Sequence, residues 1–553
     1  MIKSNQSLPK SPFSFLFEAP NEKDEELLGY EFYIESKVSE NTDDEREERF
    51  IFMPTISVCI IADKFNEAGF RTTIDSIKAS TYSRFEIIVA INDEEKRVKL
   101  DDENIRLVCG KESTKNFMKR VREAVSGEFI LILKPYDILD KSAFYHVVKA
   151  LSKRISADAI YSDSDTYNKK GRFAPLFKPN FSPDTLKSLN FIGFPFWVST
   201  RAYDAAKGYL YNDYDYVLRV ANVAKSILHV PGILLSRIDV KENENNGEER
   251  SVIDAALVAE NKRAHTVNGM YRGSYRVRYA IKSAIKASIV IAADDNVKAL
   301  RRCLESIEDV TLFDNYKLII AADAKSSSIS KRYYSALTNG RAAKVVYCEN
   351  AAVPSMLNIG VKEADGDIFV FLSPHTEPIT PEWLNAIAEL ALQPHIGAVG
   401  GKLKTPTNML VSCGTVVGLN GQFGFPYSGA YDAIGGHYMN FYTNTIRNVS
   451  AVRYECMAIE RDVFNLAGGF DESFETLGFD TDICLRILNK RLYNVYTPYA
   501  VAFIHEDEIK AEELSEKNML RLEDTLRDFK KSGDPYFNVN FSTEKTILQL
   551  KER

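Results

Sequence analysis

Two acidic motifs of the same form stand out as residues that could do chemistry. Asp213-Tyr214-Asp215 is followed by Leu218-Arg219, and the same arrangement recurs as Asp480-Thr481-Asp482 followed by Leu485-Arg486. An aspartate in such a motif can take part in proton transfer. It can also cap the N terminus of a helix. The motif by itself allows both interpretations.

The sequence around these motifs predicts parallel strands that alternate with helices. Residues 56–61 and 85–89 are continuous apolar runs, and similar runs return at 287–291 and 316–320. Uninterrupted apolar runs are typical of parallel strands that are buried on both faces. Acidic residues at the carboxyl ends of such strands lie in the crevice where an open sheet holds a nucleotide. The repeated series predicts that one α/β domain has been duplicated.

The repeat divides the chain into five parts. We predict a polar lead-in segment at residues 1–53, a first domain at 54–240, a linker with a helix at 241–284, a second domain at 285–508 and a C-terminal helical extension at 509–553. The spacing between matching motifs grows along the second copy. This growth predicts an insertion in the Gly- and Tyr-rich stretch 419–442, an irregular loop of the kind that often carries binding specificity.

Composition excludes several classes of function. The chain has 553 residues, 45% of them hydrophobic, and a net charge of -7. This length and composition predict folded domains, and the net charge indicates that they carry no broad basic surface for nucleic acid. Its 7 cysteines are scattered without a CxxC pair, which favours a reducing, cytoplasmic location over a disulfide framework. Neither a secretory signal nor an apolar run of about 20 residues is present in the sequence.

Two further motifs lie in the first copy and four others lie in the second. They are 161–165 (YSDSD), 177–184 (FKPNFSPD), 381–384 (PEWL), 396–403 (IGAVGGKL), 468–472 (GGFDE) and 496–500 (YTPYA). From Pro54 to Glu508 the chain resembles family 2 glycosyltransferases, in particular the long bacterial members that build surface polysaccharides. The resemblance implies two tandem GT-A domains, which are Rossmann-like α/β domains with mostly parallel central sheets, and inverting sugar transfer.

The resemblance assigns roles to the acidic motifs. The family places its catalytic base in an acidic motif at the start of a helix, where this sequence has Asp480 in the second copy and Asp213 in the first. Asp482 of the same motif is expected to contact the nucleotide-sugar. Family members also carry acids that touch the nucleoside after the first two strands, and the matching expectations are Asp295 and Asp323 in the second copy and Asp93 in the first.

The metal site is where the chain departs from the family. The Asp-x-Asp or Asn-Asn-Asp triplet that normally holds a divalent cation is missing after the central strand of each copy. In the second copy His375 takes the place of the last acid, and His505 matches a family histidine near the diphosphate. Together with Glu377 these residues are expected to hold a cation, Mn or Mg, if one is used. In the first copy Lys134 offers an ammonium group that could bind phosphate instead.

These features predict an enzyme that transfers a sugar from a nucleotide-sugar to a glycan or lipid-linked acceptor, with its activity in the second domain. The alternative is a non-catalytic pseudo-glycosyltransferase that binds or scaffolds in the same pathway, as the eroded triplets would allow. A nucleotidyltransferase of related fold is a third interpretation, but the Gly-rich phosphate-binding opening of that class is missing. Peripheral association with the inner membrane face is left open, and nucleic acid is not expected as a partner.

Overall fold

The chain folds into two tandem α/β domains. The structure is a computed structural model that describes residues 30–39, 50–93, 105–239, 246–340, 343–475, 477–505 and 516–551. Each domain is built on one large sheet with helices packed against it. This architecture confirms the predicted fold class of two tandem GT-A-type domains.

The first sheet combines a parallel half with a mixed half. Its strands are β1 (Ile56–Ala62), β2 (Phe85–Ile91), β3 (Ile105–Cys109), β4 (Phe129–Leu133), β5 (Ile138–Leu139), β6 (Ala159–Asn168), β7 (Gly171–Leu176), β8 (Phe196–Ser199) and β9 (Ile227–Ile238). They are ordered β3-β2-β1-β4-β8-β6-β9-β5, with β7 paired to β6. Strands β1 to β4 are parallel, and β8 is antiparallel to both of its neighbours.

The second sheet repeats this order. After the hairpin β10 (Ala264–Asn268) and β11 (Tyr275–Tyr279) come β12 (Ala287–Ala293), β13 (Tyr316–Asp323), β14 (Lys344–Cys348), β15 (Ile368–Leu372), β16 (Thr376–Pro378), β17 (Ile396–Lys404), β18 (Leu410–Ser412), β19 (Val416–Val417), β20 (Phe423–Gly424), β21 (Arg447–Val449), β22 (Cys456–Glu460) and β23 (Tyr493–Ile504). The order β14-β13-β12-β15-β22-β17-β23-β16 matches the first sheet strand for strand. The sequence repeat therefore corresponds to a repeat of topology.

Helices cover the sheets and link the domains. They are α1 (Tyr30–Ser39), α2 (Glu67–Lys78), α3 (Thr114–Ala124), α4 (Ala143–Lys153), α5 (Pro183–Ser188), α6 (Thr200–Ala205), α7 (Asp213–Val223), α8 (Asn246–Ala259), α9 (Val297–Val310), α10 (Ser328–Asn339), α11 (Val353–Lys362), α12 (Trp383–Ala391), α13 (His437–Asn444), α14 (Arg461–Ala467), α15 (Phe479–Asn489) and α16 (Glu516–Ser532). Among the described residues, no helix combines the length and apolar character needed to cross a membrane.

Matching side chains perform the same structural task in both domains. Ser57 on β1 accepts a hydrogen bond from the backbone N–H of Gly127, and Ser288 on β12 accepts one from Gly366, both at 2.9 Å. A Cβ atom on either glycine would lie within 3 Å of the serine hydroxyl. Glycine is therefore required where the central strand approaches its neighbour, and the requirement is duplicated with the domain.

The C-terminal extension is helical only in part. Helix α16 ends at Ser532, where Gly533 adopts a left-handed conformation with φ of 76°, as is common just past a helix end. Residues 533–551 then run across both domains without forming a further helix. We call this stretch the C-terminal segment.

Candidate active site

Asp480 lies in the first turn of α15, as the acidic motif predicts. Gly478, with φ of 92°, occupies the position before the helix, so the chain turns sharply into it. The backbone N–H of Thr481 donates to Asp480 Oδ1 at 2.7 Å, and that of Tyr454 is 3.3 Å from Oδ2. The carboxylate therefore faces the loop that precedes β22 and is half-buried.

The surroundings of Asp480 favour its protonated form. Burial and the nearby negative charge of Glu455 raise the pKa of Asp480 to about 6, although Arg453 opposes the shift. Arg453 is itself held by Glu455, with Nε 3.0 Å from Oε2, and its guanidinium lies 5.2 Å from the ring centre of Phe425 in the insertion. A carboxylate with this pKa is well matched to general base catalysis near neutral pH.

Asp213 occupies the equivalent place at the start of α7, but cations surround it. Tyr209 donates a hydroxyl hydrogen bond to Oδ1 at 2.8 Å, while Lys134 Nζ and Arg237 Nη1 lie 3.3 and 3.4 Å from Oδ2. Burial by itself would raise the pKa of Asp213, but these cations outweigh it and the pKa is lowered. A carboxylate stabilised in its ionised form in this way is a weaker proton acceptor than Asp480.

The predicted metal ligands form two separate pairs. His375 Nε2 lies 2.8 Å from Asp294 Oδ2, and His505 Nε2 lies 2.7 Å from Glu377 Oε2. The backbone N–H of His505 is 3.4 Å from the carbonyl oxygen of His375, so the two pairs are neighbours at one edge of the sheet. Within the described ranges, no cluster of three or more His, Cys, Asp and Glu side chains could hold a metal ion. The side chains as arranged do not fit a metal site.

The predicted nucleoside contacts lie at the carboxyl ends of neighbouring strands. Asp295 follows β12 and accepts a hydrogen bond from the backbone N–H of Ser327 at 3.0 Å. Asp323 ends β13 and accepts one from Lys325 at 2.8 Å. Both acids therefore lie at the same edge of the sheet, in loops that they help to order.

In the first domain the predicted nucleoside contact is shifted by one residue along the chain relative to the second domain. Ala62 on β1 pairs with Ile91 on β2, and the equivalent second-domain pair is Ala293 with Ala322. Asn92 therefore takes the place of Asp323, and Asp93 lies one residue further along. The Asn92 side chain hydrogen bonds to both the N–H and the carbonyl of Glu112, which orders the loop after β3.

Asp482 faces away from Asp480 and binds its own helix. Its Oδ2 lies 2.8 Å from Nε of Arg486, one turn later. Arg486 also donates to the carbonyl oxygens of Ala467 and Gly469, which end helix α14. Asp215 and Arg219 repeat this arrangement in the first domain. The second acid of each motif thus anchors the helix that presents the first, and the nucleotide role of Asp482 stays a prediction.

Four residues that the motifs did not single out shape these two sites. They are Asp294 beside His375, Arg453 and Glu455 beside Asp480, and Arg237 beside Asp213. Asp294 could have been identified, because it precedes Asp295 at the end of the same strand. The other three come from loops and strands distant in sequence, and only the folding of the chain brings them to the aspartates.

Comparison with known proteins finds a family similarity in the second copy. Residues 288–410 match the model of glycosyl transferase family 2, a stretch that covers β12 to β18. The match confirms the predicted resemblance of the second copy to this family over these residues. It ends before Asp480 and does not test the role of that residue.

Relatives match over most of the chain. It is 27% identical over 542 residues to the uncharacterized protein y4gI of Sinorhizobium fredii, covering 90% of this chain and 58% of that protein. It is 25% identical over 454 residues to the O-antigen biosynthesis protein RfbC of Myxococcus xanthus, covering 77% of this chain and 35% of that protein. The chain thus spans less than two thirds of either relative.

Among solved structures, a mannosyltransferase from Pyrobaculum calidifontis in complex with GDP-Man and Mn2+ is 12% identical. The similarity covers 46% of this chain and 66% of that one, with a TM-score of 0.31.

Proposed function

We propose, from the glycosyl transferase family 2 match over residues 288–410, that the second domain is an inverting glycosyltransferase. It would move a sugar from a nucleotide-sugar donor to a glycan or lipid-linked acceptor in bacterial surface-polysaccharide or glycoconjugate synthesis. The observation that carries the proposal is Asp480, a half-buried carboxylate whose pKa is raised to about 6 at the position of the family base. The relationship to an O-antigen biosynthesis protein supports the pathway.

In the proposed reaction Asp480 acts as general base. Its ionised carboxylate accepts the proton of the acceptor hydroxyl while that oxygen attacks the anomeric carbon of the donor sugar. The bond from this carbon to the diphosphate oxygen breaks, and its electron pair leaves with the nucleoside diphosphate. Attack from the face opposite the leaving group inverts the anomeric centre.

The neighbours of Asp480 are proposed to set its basicity. Glu455 raises the pKa of Asp480, which makes Asp480 a more effective proton acceptor. Arg453 binds Glu455 and reduces the repulsion between the two acids. The two backbone N–H groups that face Asp480 fix its orientation. Asp295 and Asp323 are proposed to contact the nucleoside from the ends of β12 and β13.

Mn or Mg remains the proposed cation if the enzyme uses one. His375 and His505 each have Nε2 paired with a carboxylate, so they do not form a ligand set as arranged. We propose that the enzyme acts in the cytoplasm, and at the inner face of the membrane where its acceptor is lipid-linked.

Product release from a panel of donors tests this proposal. Purified protein is incubated with individual nucleotide-sugars, with Mn, with Mg and with chelator, and released nucleoside diphosphate is measured. One donor should turn over, and Asp480→Asn should slow its turnover by about 10²- to 10⁴-fold while donor affinity is largely kept. The Asn side chain retains the shape of the base but accepts no proton.

Asp213→Asn is the matched control, because it makes the same change at the equivalent helix of the first domain. Turnover should remain close to that of the unmodified protein. A loss as deep as that of Asp480→Asn would contradict the assignment of catalysis to the second domain. If every donor is inert and calorimetry detects no nucleotide binding, the non-catalytic scaffold interpretation replaces the enzyme.

A further inference from the structure

The first domain gathers two cations at the sheet edge where its missing metal triplet would lie. Lys134 directly follows β4, and its side chain is 54% exposed. Arg237 lies near the end of β9, with its guanidinium 4.7 Å from the ring centre of Phe194. Both cations face Asp213, and Arg237 also faces Asp137. We call these four charged residues the first-domain charge cluster.

The ion pairs within this cluster are long. Lys134 Nζ is 3.3 Å from Asp213, and Arg237 lies 3.4 Å from Asp213 and 3.3 to 3.5 Å from Asp137. Optimal charge-assisted hydrogen bonds between nitrogen and oxygen are about 2.7–2.9 Å. Among the described residues, Nε of Arg237 also finds no hydrogen-bond acceptor in good geometry. The two cations are therefore shared loosely and retain capacity for another anion.

The second domain has no such cations at the matching positions. Strand pairing places Leu133 opposite Ile60 and Leu372 opposite Ile291, so the residues that follow β4 and β15 correspond. The last strands, β9 and β23, pair with β5 and β16, and this pairing shows which residues at their ends correspond. The equivalents of Lys134, Asp137 and Arg237 are then Ser373, Thr376 and Ile504. The cations are specific to the first domain.

Lys134 and Arg237 together carry the two positive charges of a divalent ion, and Asp213 and Asp137 lie beside them as carboxylates lie beside a bound metal. Burial raises the pKa of Asp137, and the nearby Arg237 opposes this shift. Helix α2 also begins at this edge, with Asn66 capping it and hydrogen bonded to the Tyr136 hydroxyl next to Lys134. A helix N terminus adds a favourable dipole for a negative group.

We propose that the first domain binds a diphosphate group without a metal ion, through Lys134 and Arg237. The diphosphate can belong to a nucleoside diphosphate or to an isoprenyl diphosphate of the kind that carries a lipid-linked glycan. In either case the site is proposed to hold a ligand and not to catalyse transfer, because both cations face Asp213 and make it a weaker proton acceptor than Asp480. The proposal concerns the first domain and does not depend on turnover in the second.

Calorimetric titration in the presence of EDTA tests the proposal. Separate titrations use UDP, GDP, farnesyl diphosphate and inorganic pyrophosphate, so that binding of a nucleoside is distinguished from binding of an isoprenyl chain. We expect metal-free binding of at least one diphosphate, weakened about tenfold or more by Lys134→Met and by Arg237→Met. Lys134→Arg should keep most of the affinity, because it retains the charge.

Two variants separate this site from a structural effect. Asp213→Asn should strengthen binding several-fold, because it removes a carboxylate that competes for the two cations. Asp480→Asn should leave metal-free binding unchanged. The proposal is overturned if the unmodified protein binds none of the four probes in EDTA, or if binding survives in both Met variants. Thermal unfolding shows whether each variant is folded. If Arg237→Met does not fold, the binding measured for Lys134→Met tests the proposal, because the Lys134 side chain is half-exposed.

Discussion

Asp480 and Asp213 begin equivalent helices but experience opposite electrostatic surroundings. Glu455 raises the pKa of Asp480, whereas Lys134 and Arg237 lower the pKa of Asp213. Both carboxylates are partly buried, so a neighbouring charge acts on them more strongly than it would in bulk water. The acid is present in both copies. Its neighbours make Asp480 a carboxyl that can exchange a proton near neutral pH, whereas they keep Asp213 ionised.

The pKa of Asp480 leads to a pH prediction. A general base must be ionised to accept a proton, so kcat should fall as the pH drops through about 6. Glu455→Gln removes the negative charge that raises the pKa, so the acidic limb of the profile should move to lower pH. The profile is measured as kcat from about pH 4.5 to 8.5 with saturating donor.

An exposed glutamate serves as control for this shift. Glu475→Gln changes the same side chain at a surface position paired with Lys517, and it should leave the acidic limb in place. If Glu455→Gln leaves the midpoint unchanged, or moves it to higher pH, then Glu455 does not set the basicity of the catalytic group.

At the scale of elements, the insertion at 419–442 is more ordered than an irregular loop. It contains a short 3-10 helix (Leu419–Gly421), strand β20 and the first residues of α13. Asp432 binds Lys402 and Lys404 at the end of β17, at 2.8 and 3.1 Å. Phe425 reaches the guanidinium of Arg453, beside Asp480. The insertion is thus attached to the same sheet edge as the proposed base.

Tyr431 is an exposed aromatic residue of this insertion, and we propose it as a contact for the acceptor. Its backbone forms a bridge with Met409 and precedes the anchored Asp432, yet the residue is 61% exposed. An aromatic ring on an anchored backbone offers a flat face for stacking against a sugar.

We expect Tyr431→Ala to raise the KM for the acceptor by about five- to tenfold, with donor KM and kcat little changed. Steady-state kinetics with varied acceptor at saturating donor measure the effect. Phe32→Ala, which removes an aromatic residue that is 78% exposed on α1, is the control and should leave all parameters unaltered. An unchanged acceptor KM in Tyr431→Ala would exclude this ring from acceptor binding.

At the scale of the whole molecule, the two domains share a buried interface. Asp184 of the first domain accepts hydrogen bonds from Asn448 at 2.9 Å and pairs with His395 at 3.0 Å, both in the second domain. The Tyr438 hydroxyl donates to the carbonyl of Pro175 at 2.7 Å. These polar contacts fix the orientation of one domain on the other.

The C-terminal segment completes this interface. Asn538 donates to Asp163 and to the carbonyl of Lys178 in the first domain, while Asp534 accepts from the N–H of Val417 in the second. Fully buried Phe541 contacts the rings of Phe177 and Tyr438, which belong to different domains. The segment therefore acts as a strap across both domains.

Phe541→Ala should destabilise the protein by about 3–5 kcal/mol, because it leaves a cavity among aromatic rings of both domains. Urea and thermal unfolding followed by circular dichroism measure the loss. The control is Ile547→Ala in the same segment, where the residue is 53% exposed and the expected change is within about 0.5 kcal/mol. Equal effects of the two variants would show that the segment does not hold the domains together.

Much of this arrangement was predictable from sequence because it is encoded locally. Buried parallel strands need continuous apolar runs, glycines are needed where strands meet closely, and a helix that starts with an aspartate repeats its motif in each copy. These local requirements determined the duplicated α/β fold and located Asp213 and Asp480. The sequence also showed that the two copies differ near the missing metal triplet, where the second has His375 and His505 and the first has Lys134.

Only the tertiary structure decided what surrounds each candidate residue. The pKa of a carboxyl depends on burial and on charges within a few ångströms, which come from residues far apart in sequence, such as Glu455 for Asp480 and Arg237 for Asp213. The partners of the two histidines, the role of Asp482 as a helix anchor and the strap over both domains are set in the same way. The sequence shows which residues are present. Their electrostatic environment depends on distances between side chains, and only folding sets those distances.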